Sequence, residues 1–220
     1  MSKTTVAGAD GIPRQPVKLP VVYVPGFLSP FTYAWVFERG IKREGYDFEQ
    51  VAFPRMAAGD MVEMARYLAT LVEAAAGEFG LVNLVCHSAG GLIARYYLQR
   101  LNRRAPVSSV VFLGTPHQGT LAAYPGFLVQ TCRQMAPGSK FMSSLEDGGL
   151  GRILTERSLS VYSNHDLLVL PFESGRLAGA RNVRMKGPFG HALPLDPRAL
   201  GQAVTFMEEM APARGGRRVG

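Results

Sequence analysis

A serine lies between an apolar strand pattern and a glycine-rich helix start, and this junction limits the fold more than any other feature. Residues 81–86 are apolar apart from Asn83, and Ser88, Ala89, Gly90 and Gly91 follow almost at once. A buried strand that leads directly into a helix is typical of a parallel sheet. A sharp turn between the two would push the side chain of Ser88 out at the carboxyl edge of that sheet. The alternative is an ordinary glycine-rich turn in which the serine only caps the helix.

The same succession of strand and helix patterns continues along the chain. Strand patterns at 17–24, 48–53, 107–113, 159–163 and 183–186 alternate with helical patterns at 33–43, from Asp60 onward and at 197–210. This alternation predicts one α/β domain with a mostly parallel central sheet and helices on both faces, a three-layer α/β/α arrangement. We place the domain at 17–210, between a flexible N-terminal segment at 1–16 and a disordered basic tail at 211–220.

The composition excludes several classes of protein. With 220 residues, of which 47% are apolar and 19% charged, the chain can bury one core and is neither fibrous nor wholly disordered. Two cysteines are too few for a disulfide scaffold or a zinc site of four thiolates. The net charge of +7 comes without a nucleic-acid-binding motif, so we expect no nucleic acid partner.

Targeting signals are not evident in the sequence. The first twenty residues contain no apolar segment of signal-peptide length, and no uninterrupted apolar run reaches the length of a membrane span. A cytoplasmic location is therefore expected, with an unrecognised export route left open. The basic charge is compatible with transient contact with a membrane surface, and the sequence gives no prediction of the oligomeric state.

A serine hydroxyl becomes a nucleophile when an imidazole removes its proton and a carboxylate orients that imidazole. Of the four histidines, His191 lies between the last strand and the last helix, where loops of a parallel sheet reach the carboxyl edge. We therefore predict His191 as the base. Asp166, after the preceding strand, is the predicted orienting acid, because its rivals Asp147 and Asp196 suit a surface loop and a helix cap.

An oxyanion would need two backbone N–H donors beside the serine. Ala89 follows Ser88 directly and is one predicted donor. Phe27, in the turn of Pro25 and Gly26 after the first strand, is the other. The side chain of His87 should point away from the hydroxyl of its neighbour.

Five segments together resemble the α/β-hydrolase fold lipases and esterases, especially compact bacterial triacylglycerol lipases. They are VVYVPGF at 21–27, CHSAGGLIARYY at 86–97, GTPHQGT at 114–120, YSNHDLLVLP at 162–171 and GHAL at 190–193. The resemblance implies an α/β-hydrolase fold with Ser88, Asp166 and His191 as nucleophile, acid and base, and Phe27 and Ala89 as oxyanion donors. It also implies that His117 supports or lines the site. Pro25 and Cys86 depart from the family, in which His and Gly are common at these positions.

Calcium occurs in some of these lipases, but no acidic cluster here matches such a site. We therefore expect neither a metal nor a cofactor.

The segment at about 120–151 interrupts the alternation with apolar residues mixed with prolines and glycines. It predicts either a short mobile lid over the catalytic edge or a cap packed permanently on the core. Leu28, Leu121, Tyr124 and Phe127 are the predicted substrate-lining residues.

These features predict an enzyme that cleaves carboxylic esters, as a lipase or carboxylesterase, by way of an acyl-enzyme on Ser88. A thioesterase or an acyltransferase would use the same triad, so both stay open. A non-enzymatic binding protein of the same fold would have lost a triad member, and a basic membrane- or nucleic-acid-associated module would bind in a salt-dependent way.

Overall fold

The computed structural model describes residues 6–7, 13–14 and 17–212. The strands are β1 (Val6–Ala7), β2 (Pro13–Arg14), β3 (Val21–Val24), β4 (Phe48–Gln50), β5 (Val82–His87), β6 (Val107–Leu113), β7 (Ser158–Ser163) and β8 (Arg181–Met185). The helices are α1 (Phe31–Arg43), α2 (Met61–Phe79), α3 (Ala89–Tyr96), α4 (Gln130–Met135), α5 (Lys140–Asp147), α6 (Arg152–Glu156) and α7 (Pro197–Met210). A π-helical turn, Tyr97–Leu101, extends α3.

Six strands form one parallel sheet in the order β4-β3-β5-β6-β7-β8, as the alternation predicts. β1 and β2 pair separately as a short antiparallel ribbon. Successive side chains of the inner strands alternate between two apolar clusters: Leu84 and Cys86 face one, while Val85 faces the other. Helices α2 and α3 cover the first cluster, and α1 and α7 cover the second. The predicted three-layer architecture is confirmed.

This parallel order determines where a site can form. Because all six strands run in the same direction, the loops that follow them gather at one carboxyl edge. Segments that are distant in the chain, such as those after β3, β5, β7 and β8, therefore meet there.

The insertion is more helical than the sequence analysis indicates, since it contains α4 and α5 and leads into α6. Buried residues of α4 and α5, among them Cys132, Met135 and Met142, are part of the apolar cluster that α2 and α3 cover. The body of the insertion is therefore a packed layer of the domain. Residues 121–129 carry the insertion's exposed apolar side chains, and their motion as a lid remains a prediction.

Several element limits differ from the predicted ones. β3 begins at Val21 instead of residue 17, and β4 ends at Gln50 instead of residue 53. β6 and α7 have the predicted limits. The proposed flexible segment 1–16 and the basic tail 211–220 lie outside the described residues, apart from the four residues of the ribbon and residues 211 and 212. Of the helices described between residues 31 and 210, none is long and apolar enough to cross a bilayer.

Candidate active site

Ser88 occupies a strained turn between β5 and α3. Its φ of 52° and ψ of −126° lie in a region that L-residues rarely adopt, at a typical cost of about 1–3 kcal/mol. Its backbone N–H donates to the oxygen of Leu113 over 2.9 Å, which fixes the turn against the end of β6. The Ser88 side chain makes no cap hydrogen bond to α3, so the alternative of a simple helix-capping serine finds no support in the geometry.

Two glycines let neighbouring backbone approach this turn closely. A methyl group placed on Gly90 would lie 2.4 Å from the oxygen of Val24, and one placed on Gly26 would lie 2.7 Å from Cβ of Ser88. Both distances are too short for a real side chain. The loop after β3 therefore packs directly against Ser88, which the small residues at these positions make sterically feasible.

Asp166 and His191 form a hydrogen-bonded pair at the same edge. Nδ1 of His191 lies 2.8 Å from Oδ2 and 3.1 Å from Oδ1 of Asp166. The carboxylate is buried, and its Oδ1 also accepts the backbone N–H groups of Leu168 and Val169 over 2.8 and 2.9 Å. These amides fix the carboxylate, so it can hold the imidazole with Nδ1 protonated and Nε2 available as a base.

The pair lies next to the serine turn. Ring centroids of His191 and His87, the residue before Ser88, are 4.9 Å apart. Gly114, which follows the Ser88 partner Leu113, would place a methyl group 3.6 Å from Nδ1 of His191. Within the described chain the Ser88 hydroxyl makes no side-chain hydrogen bond to His191. Such bonds are often long before substrate binds and tighten afterwards.

The two predicted oxyanion amides are unengaged. Among the residues that the structure describes, neither the N–H of Phe27 nor that of Ala89 donates to a backbone carbonyl outside the regular elements. Ala89 is the first residue of α3, where the positive end of the helix dipole also favours a developing negative charge. Both amides are therefore free to receive an oxyanion.

Among the contacts of the described residues, His117 makes no hydrogen bond to Asp166 or His191. It is buried, its ring packs edge-on against Phe112, and its Nε2 is 3.2 Å from Oγ of Ser160. Burial lowers the pKa of His117 well below its usual value, and the positive charge of Arg95 adds to this effect. The ring lines a cavity of about 310 Å³ whose walls contain none of the proposed triad. Its placement fits structural support, and a role in lining the substrate site stays a prediction.

The remaining candidates for the acid and the base either cap a helix or lie at the surface. Asp196 accepts the N–H of Arg198 as the N-cap of α7, as predicted. Asp147 ends α5 at the surface, and His165 is exposed, with Nδ1 3.1 Å from the oxygen of Gly187. None of the three is hydrogen-bonded to Ser88 or His191 in the described chain.

Exposed apolar side chains are concentrated in the loops at the carboxyl edge of the sheet. Ten of them lie in or just after loops at the carboxyl edge, and we call them the apolar rim: Leu28, Phe31, Met56, Leu121, Tyr124, Phe127, Leu128, Leu167, Leu168 and Leu170. Hydrogen bonds link these loops, since Leu28 N–H donates to the Met56 oxygen and Leu121 N–H to the Leu170 oxygen. The predicted lining residues Leu28, Leu121, Tyr124 and Phe127 all belong to this rim.

Sequence reasoning missed part of the rim and one contact of the site. Leu128 is 96% exposed, and Leu167 and Leu168 directly follow the buried Asp166. The adjacent leucines were a usable signal, because two consecutive large apolar residues beside a polar loop residue are costly to expose without function. The contacts of His87 with the loops of Ser29 and His191 have no signal in the sequence.

No metal centre emerges from the side chains in 17–212. Groups of three or more His, Cys, Asp or Glu placed to hold an ion are absent from this described range.

The sequence profile of the palmitoyl protein thioesterases matches residues 49–164, just over half of the chain. The chain belongs to this family. The match covers β4 through β7 and includes Ser88, whereas Asp166 and His191 follow it. A comparison with curated protein sequences finds no match.

Solved structures show the same fold. Lipase B of Aspergillus fumigatus superposes with a TM-score of 0.73 at 19% identity, over 89% of this chain and 53% of that one, so the family member described here spans about half its length. The mature lipase BlEst2 of Bacillus licheniformis gives 0.71 at 20% identity, over 90% and 94% of the two chains. MGS-MChE2, an α/β hydrolase from a sediment metagenome of the Mar Chica lagoon, gives 0.59 at 16% identity, over 87% and 90%.

Family and fold together confirm the resemblance drawn from the sequence. The protein has the α/β-hydrolase fold, and the family to which it belongs is one of hydrolases.

Proposed function

We propose that the protein is a serine hydrolase that cleaves carboxylic acid esters through an acyl-enzyme on Ser88. One arrangement carries the proposal: a serine in a strained strand-to-helix turn lies at the same sheet edge as a buried, hydrogen-bonded Asp166–His191 pair. An accessible serine at such a turn and an oriented imidazole near it are suited to acyl transfer by serine.

The residues would act in the following order. Nε2 of His191 accepts the proton of the Ser88 hydroxyl as Oγ forms a bond to the acyl carbon. The carbonyl oxygen, now negative, is bound by the amides of Phe27 and Ala89. The tetrahedral species then breaks its bond to the leaving alcohol, which takes the proton from His191. Water, deprotonated by the same imidazole, cleaves the acyl-enzyme and releases the acid and free Ser88.

The apolar rim supports an acyl substrate with a long chain. In the rim loops, residues 25–31, 51–58, 118–130 and 164–171, the acidic residue is Asp166, which is buried, and the charged basic residue is Arg55. An apolar surface of this kind favours an alkyl chain and a neutral lipid surface that presents it. We propose that the substrate is taken from such a surface by transient contact.

A chain-length series tests the proposal. Wild-type protein and Ser88→Ala are assayed on p-nitrophenyl esters from acetate to palmitate. We expect hydrolysis by the wild type, with kcat/KM rising from the short to the middle or long chains, and a loss of at least about 10³-fold in Ser88→Ala. Activity that survives in Ser88→Ala would overturn the proposal.

Thioester hydrolysis is a second candidate, which the family match favours. Both reactions use the same acyl-enzyme, and they differ in the leaving group. Matched pairs of O-acyl and S-acyl substrates with the same chain separate them. A kcat/KM at least tenfold higher for the S-acyl member of each pair would make thioesters the substrate class, and the reverse ratio would make oxygen esters the class.

A further inference from the structure

His87 bridges the two loops that carry the proposed base and the proposed oxyanion donor. The residue is buried, with 1% of its surface exposed, at the last position of β5. Nε2 lies 3.1 Å from the backbone oxygen of His191. Because a carbonyl oxygen can only accept, Nε2 carries the proton and donates to it.

The other ring nitrogen faces the loop after β3. Nδ1 of His87 lies 3.3 Å from Oγ of Ser29. Burial lowers the pKa of His87 to about 3, with a further lowering from the neighbouring His191, so the ring is neutral at the pH of an assay. With its proton on Nε2, Nδ1 is a bare acceptor, and the Ser29 hydroxyl donates to it.

Ser29 belongs to the turn that holds the amide of Phe27. Its N–H donates to the oxygen of Gly26 over 3.4 Å, which closes the turn around Phe27. The ring of Tyr33 packs edge-on against His87, with centroids 5.4 Å apart, and the ring of His191 packs against it at a tilt, with centroids 4.9 Å apart. One buried ring therefore contacts both loops from the residue directly before Ser88.

We infer that His87 is a positioning residue: through Nε2 it fixes the backbone of His191, and through Nδ1 it fixes the turn of Phe27, relative to Ser88. This inference rests on the proposed function, since it assumes that Ser88, His191 and Phe27 act together. His87 itself does not touch the substrate. Displacement of a catalytic group by about 1 Å can lower a rate by about 10²-fold, so a positioning bond of this kind has a measurable effect on kcat.

Three substitutions at one position separate the two bonds. His87→Gln keeps a donor near the position of Nε2 and so keeps the bond to the His191 oxygen. His87→Asn keeps an acceptor near the position of Nδ1 and loses the bond to His191. His87→Phe keeps the ring packing and loses both bonds. Ser29→Ala, at the loop itself, removes the Nδ1 bond without changing a core residue.

The experiment measures kcat and KM on one p-nitrophenyl ester, together with Tm, for these four variants and for Ser88→Ala. We expect kcat to fall about 10- to 100-fold in His87→Phe and His87→Asn, and by less than about fivefold in His87→Gln, with KM within about twofold throughout. Ser29→Ala should lower kcat about three- to tenfold. If kcat is retained in His87→Gln but not in His87→Phe, whatever the order of their Tm values, the result supports positioning through the backbone oxygen of His191.

Different results would overturn all or part of this inference. If kcat follows Tm across the variants, or if Phe and Gln behave alike, His87 is only a core residue and the inference is wrong. Should a variant at position 87 fail to fold, an unchanged kcat in Ser29→Ala overturns the Phe27 half of the inference. Loss of activity in Ser88→Ala with unchanged kcat in His87→Phe leaves the proposed function standing without this inference, whereas full activity in Ser88→Ala overturns both.

Discussion

Asp166 contacts His191 most closely through Oδ2, and two backbone amides hold its Oδ1, which lies 3.1 Å from the same ring nitrogen. Oδ2 lies 2.8 Å from Nδ1 of His191, whereas Oδ1 accepts the amides of Leu168 and Val169. Because the N–H groups of Leu168 and Val169 need an acceptor, an asparagine at this position would turn its side-chain oxygen toward them. This gives a substitution that changes one hydrogen bond and preserves the others.

Asp166→Asn should abolish most activity with little effect on folding. The amide oxygen takes the place of Oδ1, which leaves the NH2 group facing Nδ1 of His191. The imidazole must then accept at Nδ1 and carry its proton on Nε2, where it cannot act as the base. We expect kcat on a p-nitrophenyl ester to fall by about 10³- to 10⁴-fold.

Asp196→Asn is the matched control for that change. Asp196 is also a buried carboxylate that accepts a backbone N–H, but it caps α7 and is not hydrogen-bonded to His191. It also pairs with Arg198, so we expect a lower Tm with kcat within about twofold of wild type. Equal losses of kcat in the two variants would argue against Asp166 as the orienting acid.

The predictable part of the fold comes from residues whose effect is local. β6 ends where Gly114, Thr115 and Pro116 interrupt it, and α7 begins where Asp196 caps it and Pro197 supplies its first turn. The limits of β3 depend instead on its neighbours, since pairing with β4 and β5 begins at Val21. β4 is an edge strand with exposed residues, so its own pattern does not determine its length.

The same distinction applies to the site. The placement of Ser88, Asp166 and His191 near one another is predictable because parallel strands bring the ends of their loops to one edge, whereas their catalytic roles stay a prediction. The short helices α4 and α5 are not, because prolines and glycines flank them and packing on the core stabilises them. The bond from His87 to the backbone of His191 depends on the path of two loops, which no periodicity in the chain specifies.

Buried His87 should make the stability of the protein depend on pH. Its pKa is about 3 in the folded protein against 6.5 in the unfolded chain, so the unfolded chain binds the proton first as the pH falls. The free energy of unfolding therefore rises with pH between about 3 and 6.5 and is unaffected by this group above that range. The slope from one such group is at most about 1.4 kcal/mol per pH unit.

Replacing the ring removes this contribution. Urea unfolding of wild type and His87→Phe at pH 4, 5, 6 and 7.5 should show a shallower dependence in the variant, whatever its absolute stability. His165→Phe, which replaces an exposed histidine, is the control for the loss of a histidine at the surface. Parallel curves for wild type and His87→Phe would mean that His87 is protonated without cost in the folded protein.

Gly26→Ala should damage the site by steric contact alone. The added methyl group would lie 2.7 Å from Cβ of Ser88 and 3.0 Å from the oxygen of His87, so either the loop or the turn must move. We expect kcat to fall about 10- to 100-fold and the free energy of unfolding to drop by about 1–3 kcal/mol. Thermal unfolding and ester hydrolysis measure the two effects.

Gly59→Ala provides the comparison. A methyl group on Gly59 meets no atom within 4 Å, so both Tm and kcat should stay near those of wild type. If Gly26→Ala behaves in the same way, the loop after β3 is not packed as tightly on Ser88 as the structure has it.

Leu128→Ser tests the apolar rim as a contact with lipid. Leu128 is 96% exposed, so its removal costs no packing in the free protein, whereas its burial in a lipid surface would contribute about 1.5–3 kcal/mol. Partition onto phosphatidylcholine vesicles should weaken by about 10- to 100-fold. Zwitterionic vesicles keep the net charge of +7 from dominating the binding. Co-sedimentation is measured in the Ser88→Ala background, so that lipid is not hydrolysed.

Leu101→Ser is the control, since Leu101 is exposed but precedes β6 at the opposite edge of the sheet. Equal binding by the two variants, or no vesicle binding by the parent protein, would mean that the apolar rim does not bind a lipid surface. Ser88 would then act on soluble esters.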